Sequence, residues 1–208
     1  MYVLHTSEGS GGFAVQAVLE EAKADYRVVK VDTGKGEHRK PSFLKLNPMG
    51  QVPVLELPGG GVMTESAAMV IYLADRLVGG RLAPKPVSRK RADYLRWLTF
   101  LGVNVYTADL RYFYSDRYTT EPKGADGVKG AGLRDMEAQF DILNKAVGKG
   151  PYVLGNRYSA VDPYLLMLCT WHPQPADMLR GRKNLARLCE TVKARKAIAS
   201  INAFHKLW

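Results

Sequence analysis

The chain has 208 residues, of which 46% are hydrophobic and 24% charged, and a formal net charge of +10. Those proportions are ordinary for a globular protein of one large or two small domains, and no apolar run approaches the roughly 20 residues needed to span a bilayer. Two cysteines, Cys169 and Cys189, give neither a disulfide framework nor a metal-ligand spacing and read as reduced core thiols.

Met1–Thr6 carries no basic leader and reads as the start of a strand, not as a secretion signal, so the cytoplasm is the expected compartment. Ser7 to Gly12 is a turn of small residues. Phe13 to Ala22 has good helix formers and an apolar face at Val15, Val18, Leu19 and Ala22. Tyr26 to Val31 is β-branched and aromatic and reads as a second strand, giving a right-handed β-α-β start. Gly34 to Pro41 is polar and predicted to be flexible. Gly50 to Leu57 alternates, Pro58 to Gly61 turns, and Val62-Met63 returns as a hairpin. Glu65 to Ala74 is predicted to be a helix with capping groups at its start. The order is that of an α/β layered domain over residues 1–78.

A Gly/Pro-rich linker over residues 79–86 follows, and residues 87–208 have helical period throughout. Ser88 is a candidate cap for a long, bent helix from Arg89 to Arg117. Pro122 to Gly132 reads as a Gly-rich basic loop. Leu133, Met136, Phe140, Leu143 and Val147 form one buried stripe. Ser159 and Asp162 fit a capping box with Asp in the Glu position, ahead of an apolar helix from Tyr164 to Trp171. Asn184 to Ala203 reads as one or two surface helices.

The charge is uneven. Residues 1–78 hold 8 Lys and Arg against 9 Asp and Glu, and the remainder holds 22 against 11. From Arg180 to Lys206 there are eight Lys or Arg against Glu190 alone. A solvated helix face is the favoured reading over a nucleic-acid surface, though such a field also suits an anionic small substrate. His38, His172 and His205 have no metal spacing and are taken as structural or surface residues.

Two local patterns carry chemistry. In Asn47-Pro48-Met49-Gly50-Gln51-Val52-Pro53-Val54-Leu55, a proline stands at the entry to an apolar strand. A cis Val52–Pro53 bond would turn the Val52 amide and carbonyl outward to grip an extended peptide, while a trans bond would be an ordinary strand entry. Glu65-Ser66 opens a helix, where free N–H groups and the dipole favour anions. There the Ser66 hydroxyl suits a carboxylate and Glu65 an ammonium, or the pair simply caps the helix.

These segments, with Leu19-Glu20-Glu21-Ala22, Thr64 to Ala74, Trp97-Leu98-Thr99-Phe100-Leu101 and Gly155 to Leu165, run through nearly the whole chain in one order. Together they resemble the cytosolic glutathione transferases, and most closely the bacterial beta class. The resemblance implies the glutathione-transferase fold, a thioredoxin-like α/β N-terminal domain followed by an all-α domain that holds the second-substrate pocket. It implies glutathione as co-substrate, with Val52 and Pro53 at its cysteinyl backbone, Glu65 and Ser66 at its γ-glutamyl head, Lys35 near its glycyl carboxylate and Gln51 as a further binding residue. It also implies a homodimer.

Departures from the beta class concern the chemistry. Its usual cysteine in the first turn is replaced by Ser10, followed by Gly11 and Gly12. His5 stands where tyrosine is common. Tyr106, Thr107 and Thr99 replace a histidine, a lysine and an asparagine in the first long helix. A donor to the sulfur is needed because free thiols have a pKa of about 8.5. Ser10 is the first candidate, Ser7 and Thr6 are its rivals, and Tyr106 is a candidate for the sulfur or the second substrate. Tyr112, Phe113, Tyr114 and Tyr118 offer core packing or a wall for an apolar electrophile. The expected activity is conjugation of glutathione to an apolar electrophile. The alternatives are glutathione-dependent isomerisation, dehalogenation or ether cleavage, and a non-catalytic interaction protein of the same fold.

Overall fold

The computed structural model describes residues 1–77 and 81–208, and the linker residues Gly79 and Gly80, with Val78, lie outside them. The described residues form two compact units, residues 1–88 with 193–208, and residues 89–192.

In the first unit, strand β1 (Tyr2–Thr6) leads into helix α1 (Gly12–Glu21), and β2 (Tyr26–Lys30) returns parallel to β1. A short 3-10 turn (Glu37–Arg39) lies within the Gly34–Pro41 segment predicted to be flexible, and helix α2 (Pro41–Leu44) follows it. Strands β3 (Val54–Glu56) and β4 (Val62–Met63) then form the hairpin, and α3 (Ser66–Arg76) follows. The sheet order is β2-β1-β3-β4, with β3 antiparallel to both neighbours. Alternation along β1 sends Leu4 and Thr6 toward α1 and His5 toward α2, where its ring meets Phe43 at 6.5 Å. Val31, Phe43 and Val54 form a small apolar cluster on the α2 face, with Leu46 and Val52 packed against it. On the other face Phe13 to Leu19 of α1 are buried, and α1 packs against α3 and the last helix, α10 (Lys196–His205).

The segment Lys193–Trp208, read from sequence as part of the helical domain, groups with the first unit. Its α10 buries Ile198 and Ile201, and Arg195 makes a two-armed ion pair with Glu21 at 2.5 and 2.8 Å. One face of α10 is thus core-forming, while Lys196, Ala199, Ser200 and Ala203 stay exposed, as expected of a surface helix.

The second unit is helical. The predicted Arg89–Arg117 helix is in fact α4 (Lys90–Phe100), a π-helical segment (Leu101–Val105) and α5 (Tyr106–Phe113), ending in a 3-10 turn over Ser115–Tyr118. Its N-cap is Arg89, not Ser88. The predicted loop Pro122 to Gly132 is mostly helix, since α6 runs Ala125–Val147. Glycine content misled the reading. A Cβ on Gly132 would stand 2.8 Å from the Ala108 carbonyl oxygen, so this glycine permits the close approach of α5 and α6. The α6 stripe is buried at Gly132, Met136, Phe140, Leu143 and Val147.

Helix α7 (Val161–Trp171) is apolar nearly all round and buried through Cys169. A helix α8 (Pro175–Gly181), absent from the sequence reading, precedes α9 (Lys183–Lys193), which buries Leu185, Leu188, Cys189 and Val192. Cys169 and Cys189 are free and buried.

The start of α7 is fixed by Asp162, fully buried, whose Oδ2 accepts from the Ser159 amide at 2.7 Å and the Ser159 hydroxyl at 3.2 Å. Its Oδ1 accepts from the Val153 amide at 2.8 Å. One half of the predicted capping box is present, the Asp162 carboxylate taking the Ser159 amide, and the other half is not. The Ser159 hydroxyl donates to the carboxylate, and the Asp162 amide bonds the Ser159 carbonyl at 3.1 Å. Asp162→Ala leaves two buried amides without acceptors, and urea unfolding is expected to show a loss of roughly 2–4 kcal/mol. Asp162→Asn, which keeps one acceptor, is expected to lose less.

Candidate functional site

The topology collects most of the candidate residues at one end of the sheet. Parallel β1 and β2 both finish there, at Thr6 and Lys30, so the Ser7–Gly12 turn lies beside Asp32, Thr33 and Lys35. Antiparallel β3 begins there, with His5 opposite Val54, which brings Val52 and Pro53 to the same end. Strand β4 finishes there at Met63, followed at once by Glu65 and Ser66. The Ser7 and Thr33 hydroxyl oxygens are 3.3 Å apart, a direct contact between two of these loops.

The Val52–Pro53 bond is cis, the alternative that turns main-chain groups outward. Its loop is held by Asn47, a residue the sequence reading did not single out. Buried Asn47 donates through Nδ2 to the Gln51 carbonyl at 2.8 Å and accepts through Oδ1 from the Met49 amide at 3.1 Å. The Asn-Pro-Met-Gly run was the available signal, because asparagine side chains mimic backbone turns. Pro53 is buried, Val52 half-buried, and Gln51 and Met49 exposed.

Glu65 is exposed and sits at φ +66°, ψ +97°, a conformation L side chains rarely adopt. Among the described residues the Glu65 side chain makes no capping hydrogen bond to α3, which corrects the prediction of a cap for that residue. Ser66 is the first helical residue and half-buried. Such a rare backbone conformation at a helix entrance is the kind that recurs at ligand clamps.

Lys35 extends into solvent, and its ammonium is 3.5 Å from Asp32 Oδ2. The Lys35 amide, at 3.0 Å from Asp32 Oδ1, is the main reason the Asp32 carboxyl is held below its ordinary value. The Asp32 amide in turn bonds Glu37 at 2.8 Å and holds that carboxyl low as well.

In the first turn, Ser10 faces inward. Its hydroxyl donates to the Ser7 carbonyl at 2.8 Å, leaving Oγ to accept from Thr6 Oγ1 at 2.9 Å. Thr6 is buried against Gly12, where an added Cβ would come within 1.9 Å of Thr6 Oγ1. Ser10 therefore organises the turn, while the Ser7 hydroxyl stands half-exposed at its mouth. His5 Nε2 lies 2.5 Å from Glu56 Oε1 and takes part in a pair on the α2 face.

Tyr106 belongs to the second unit, where it opens α5 directly after the π-helical segment. Its ring meets Trp171 edge-on at 5.1 Å. The aromatic group further along is not core. Phe113, Tyr114 and Tyr118 are exposed, with Arg117 over the Tyr114 ring at 4.0 Å and Lys129 over Tyr112 at 4.9 Å.

The basic run Arg180–Lys206 is not simply a solvated face. Arg182 reaches Glu137 at 2.6 Å and Asp141 at 2.8 Å, and Glu137 also meets His172 at 3.0 Å. Arg187 donates to the carbonyls of Gly148 and Gly150, Arg195 binds Glu21, Arg180 binds Asp177, and Lys206 binds Glu8.

Residues 1–75 match the family model described as the glutathione S-transferase N-terminal domain. The GST-like protein YncG of Escherichia coli K12 is 30% identical, over 88% of this chain and 88% of its own length. The disulfide-bond oxidoreductase YfcG of the same strain is 29% identical, over 78% of this chain and 76% of its own. A solved glutathione transferase homologue from Sulfitobacter, with bound glutathione, matches at a TM-score of 0.90 and 26% identity, covering 98% of this chain and 97% of that one.

Asp109, on α5 one turn beyond Tyr106, is 6% exposed, and its Oδ1 is buried with no hydrogen-bond partner among the described residues. Burial pushes its carboxyl from 3.8 up to about 7. Unfolding returns the group to its ordinary value, so between those two pH values the unfolded chain binds fewer protons and stability falls as pH rises. Asp109→Asn is therefore expected to stabilise the protein at pH 8 by on the order of 2 kcal/mol and to change little at pH 4, as read from urea midpoints.

Proposed function

The chain belongs to the glutathione S-transferase family, and we propose that it is a glutathione transferase that joins the glutathione thiolate to an apolar electrophile. The observation that carries this reading is the convergence of the Ser7–Gly12 turn, Val52 and Glu65-Ser66 at one end of the sheet. An extended tripeptide laid along Val52 pairs its cysteinyl amide and carbonyl with that residue's main chain, as a strand would. Its γ-glutamyl head then reaches the start of α3. There Ser66 and the helix dipole receive the carboxylate, and Glu65 receives the ammonium. Lys35 is long and exposed enough to attract the glycyl carboxylate.

In this mechanism the first turn activates the sulfur. Ser10 has its hydroxyl hydrogen on the Ser7 carbonyl, which leaves the Ser7 hydroxyl as the better donor of the two. A hydrogen bond to the thiolate lowers the thiol pKa, and each unit corresponds to about 1.4 kcal/mol. The thiol proton passes to solvent. The sulfur lone pair forms the new C–S bond, and the electrophile's electron pair leaves with a leaving group or takes a proton from water. Tyr106, held against Trp171 in the helical unit, is assigned to the electrophile. By the same reading the protein works in the cytoplasm as a homodimer.

Thiol–disulfide exchange through a protein cysteine finds no support in the turn, where Ser10 occupies the thiol's place and Cys169 and Cys189 are both buried. The non-catalytic reading is weakened because much of the basic run is engaged in internal pairs.

Calorimetry with glutathione tests the binding site. Ser66→Ala and Glu65→Gln are each expected to weaken binding by roughly tenfold or more, the scale of one charge-assisted hydrogen bond of about 1.5–3 kcal/mol. Absence of binding to the unaltered protein would overturn the assignment. For the sulfur, Ser7→Ala should raise the pKa of the bound thiol by about one unit, followed through thiolate ultraviolet absorbance. Ser10→Ala should chiefly lower stability. The reverse result would return Ser10 to the donor role.

A further inference from the structure

The segment after α10 closes on the turn between β1 and α1. Lys206 leaves the helix at φ +51°, its amide bonded to the Asn202 carbonyl at 2.8 Å. Asn202 then fixes the next two residues. Its Oδ1 accepts from the Leu207 amide at 2.8 Å, and its Nδ2 donates to the Trp208 carbonyl at 2.9 Å. Held this way, the segment meets the turn at three points. The Lys206 ammonium is 3.2 Å from Glu8 Oε1. A Cβ on Gly9 would lie 3.6 Å from the His205 carbonyl oxygen and 3.9 Å from Leu207 Cδ2. Fully buried Phe13, in the first turn of α1, is flanked edge-on by His205 at 5.4 Å and by Trp208 at 6.0 Å.

His205 is itself fixed from the α1 side. Gln16 donates through Nε2 to the Tyr26 hydroxyl at 3.2 Å, so its Oε1 accepts from His205 Nε2 at 2.9 Å. Burial pushes the imidazole down to about 4, so the ring is neutral at ordinary pH.

The turn needs this support. Its own Ser10 amide to Ser7 carbonyl bond is long, at 3.4 Å, and Gly9 sits at φ +64°. Thr6, Ser10 and Gly12 hold the inner side, but they do not reach Glu8 or Gly9. A hydroxyl that activates a sulfur must be held within about 0.5 Å of its productive position.

We propose that Lys206, Leu207 and Trp208 are positioning residues for the thiol-activating turn, clasping Glu8, Gly9 and Phe13 from outside so that the Ser7 hydroxyl stays aimed at the bound sulfur. The inference rests on the glutathione reading above, but the clasp itself is measurable without ligand. The Lys206–Glu8 pair is exposed and contributes little alone; packing of Trp208 on Phe13 and of Leu207 on Gly9 carries most of the effect.

The test uses the full chain with Trp208→Ala, the milder Leu207→Ala, and Trp208→Phe as the conservative rescue. Without ligand, amide exchange across Ser7–Gly12 should quicken by roughly tenfold in the alanine variants, with core amides of β1 and α7 unchanged. With glutathione, the bound thiol pKa should rise by roughly half a unit, about a threefold change in thiolate at a given pH, while the calorimetric Kd stays within about threefold. Trp208→Phe should restore both readouts. Unaltered exchange and thiol pKa in Leu207→Ala and Trp208→Ala would overturn the proposal. So would affinity and pKa lost together with a fall in melting temperature, the mark of a purely structural role. If the turn loosens in the variants but the unaltered protein binds no glutathione, the clasp stands as a fact of the fold, and both the glutathione reading and the positioning role fall.

Discussion

The meeting of β1 with α1 depends on the missing Cβ of Gly12. The Thr6 side chain occupies the space a Cβ would need, and from there its hydroxyl reaches Ser10. A larger residue at position 12 would drive the helix off the strand, and with it the turn that carries Ser7 and Ser10. The rest of the first unit follows from that junction. Parallel pairing of β2 with β1 brings Thr33 beside Ser7, and the antiparallel hairpin returns Val52 and Glu65 to the same end. One packing contact thus sets the frame in which scattered residues share a site.

The basic stretch shows how charge alone misleads. Eight cations between Arg180 and Lys206 invite thoughts of a polyanionic partner. In the fold, several act as local tethers. Arg182 draws together Glu137, Asp141 and the Met178 carbonyl, and Arg187 binds two glycine carbonyls after α6. Arg195 ties the start of α10 to the end of α1. Arginine suits this work because its planar fork satisfies two acceptors at once.

The second unit concentrates its irregularities around α5. A π-helical segment precedes Tyr106, a buried carboxyl whose Oδ1 has no hydrogen-bond partner among the described residues follows at Asp109, and Gly132 lets α6 approach closely. Each departs from regular helix packing, and such departures gather where a fold serves chemistry as well as stability. Asp162 has the opposite character. Its bonds to Val153 and Ser159 go to residues close in sequence, and they serve to start α7.

Local order settled much of this protein before any packing was considered. The β-branched and aromatic run at Tyr26, the alternating run through Val54, the helical stripe from Met136 to Val147, the apolar α7 and the Ser159–Asp162 signal all depend on residues within a turn or two of each other, so they are legible in one dimension. The Val52-Pro53 and Glu65-Ser66 patterns were visible for the same reason. Tertiary structure decided the rest. Whether Val52–Pro53 is cis, that Gly132 serves a helix contact and not a loop, that Ser10 turns inward while Ser7 stays at the mouth, and that the segment after α10 returns to Gly9 and Phe13 all depend on residues up to nearly 200 positions apart. Periodicity carries no information about such partners, because they are chosen by shape and hydrogen-bond satisfaction once the chain has closed on itself.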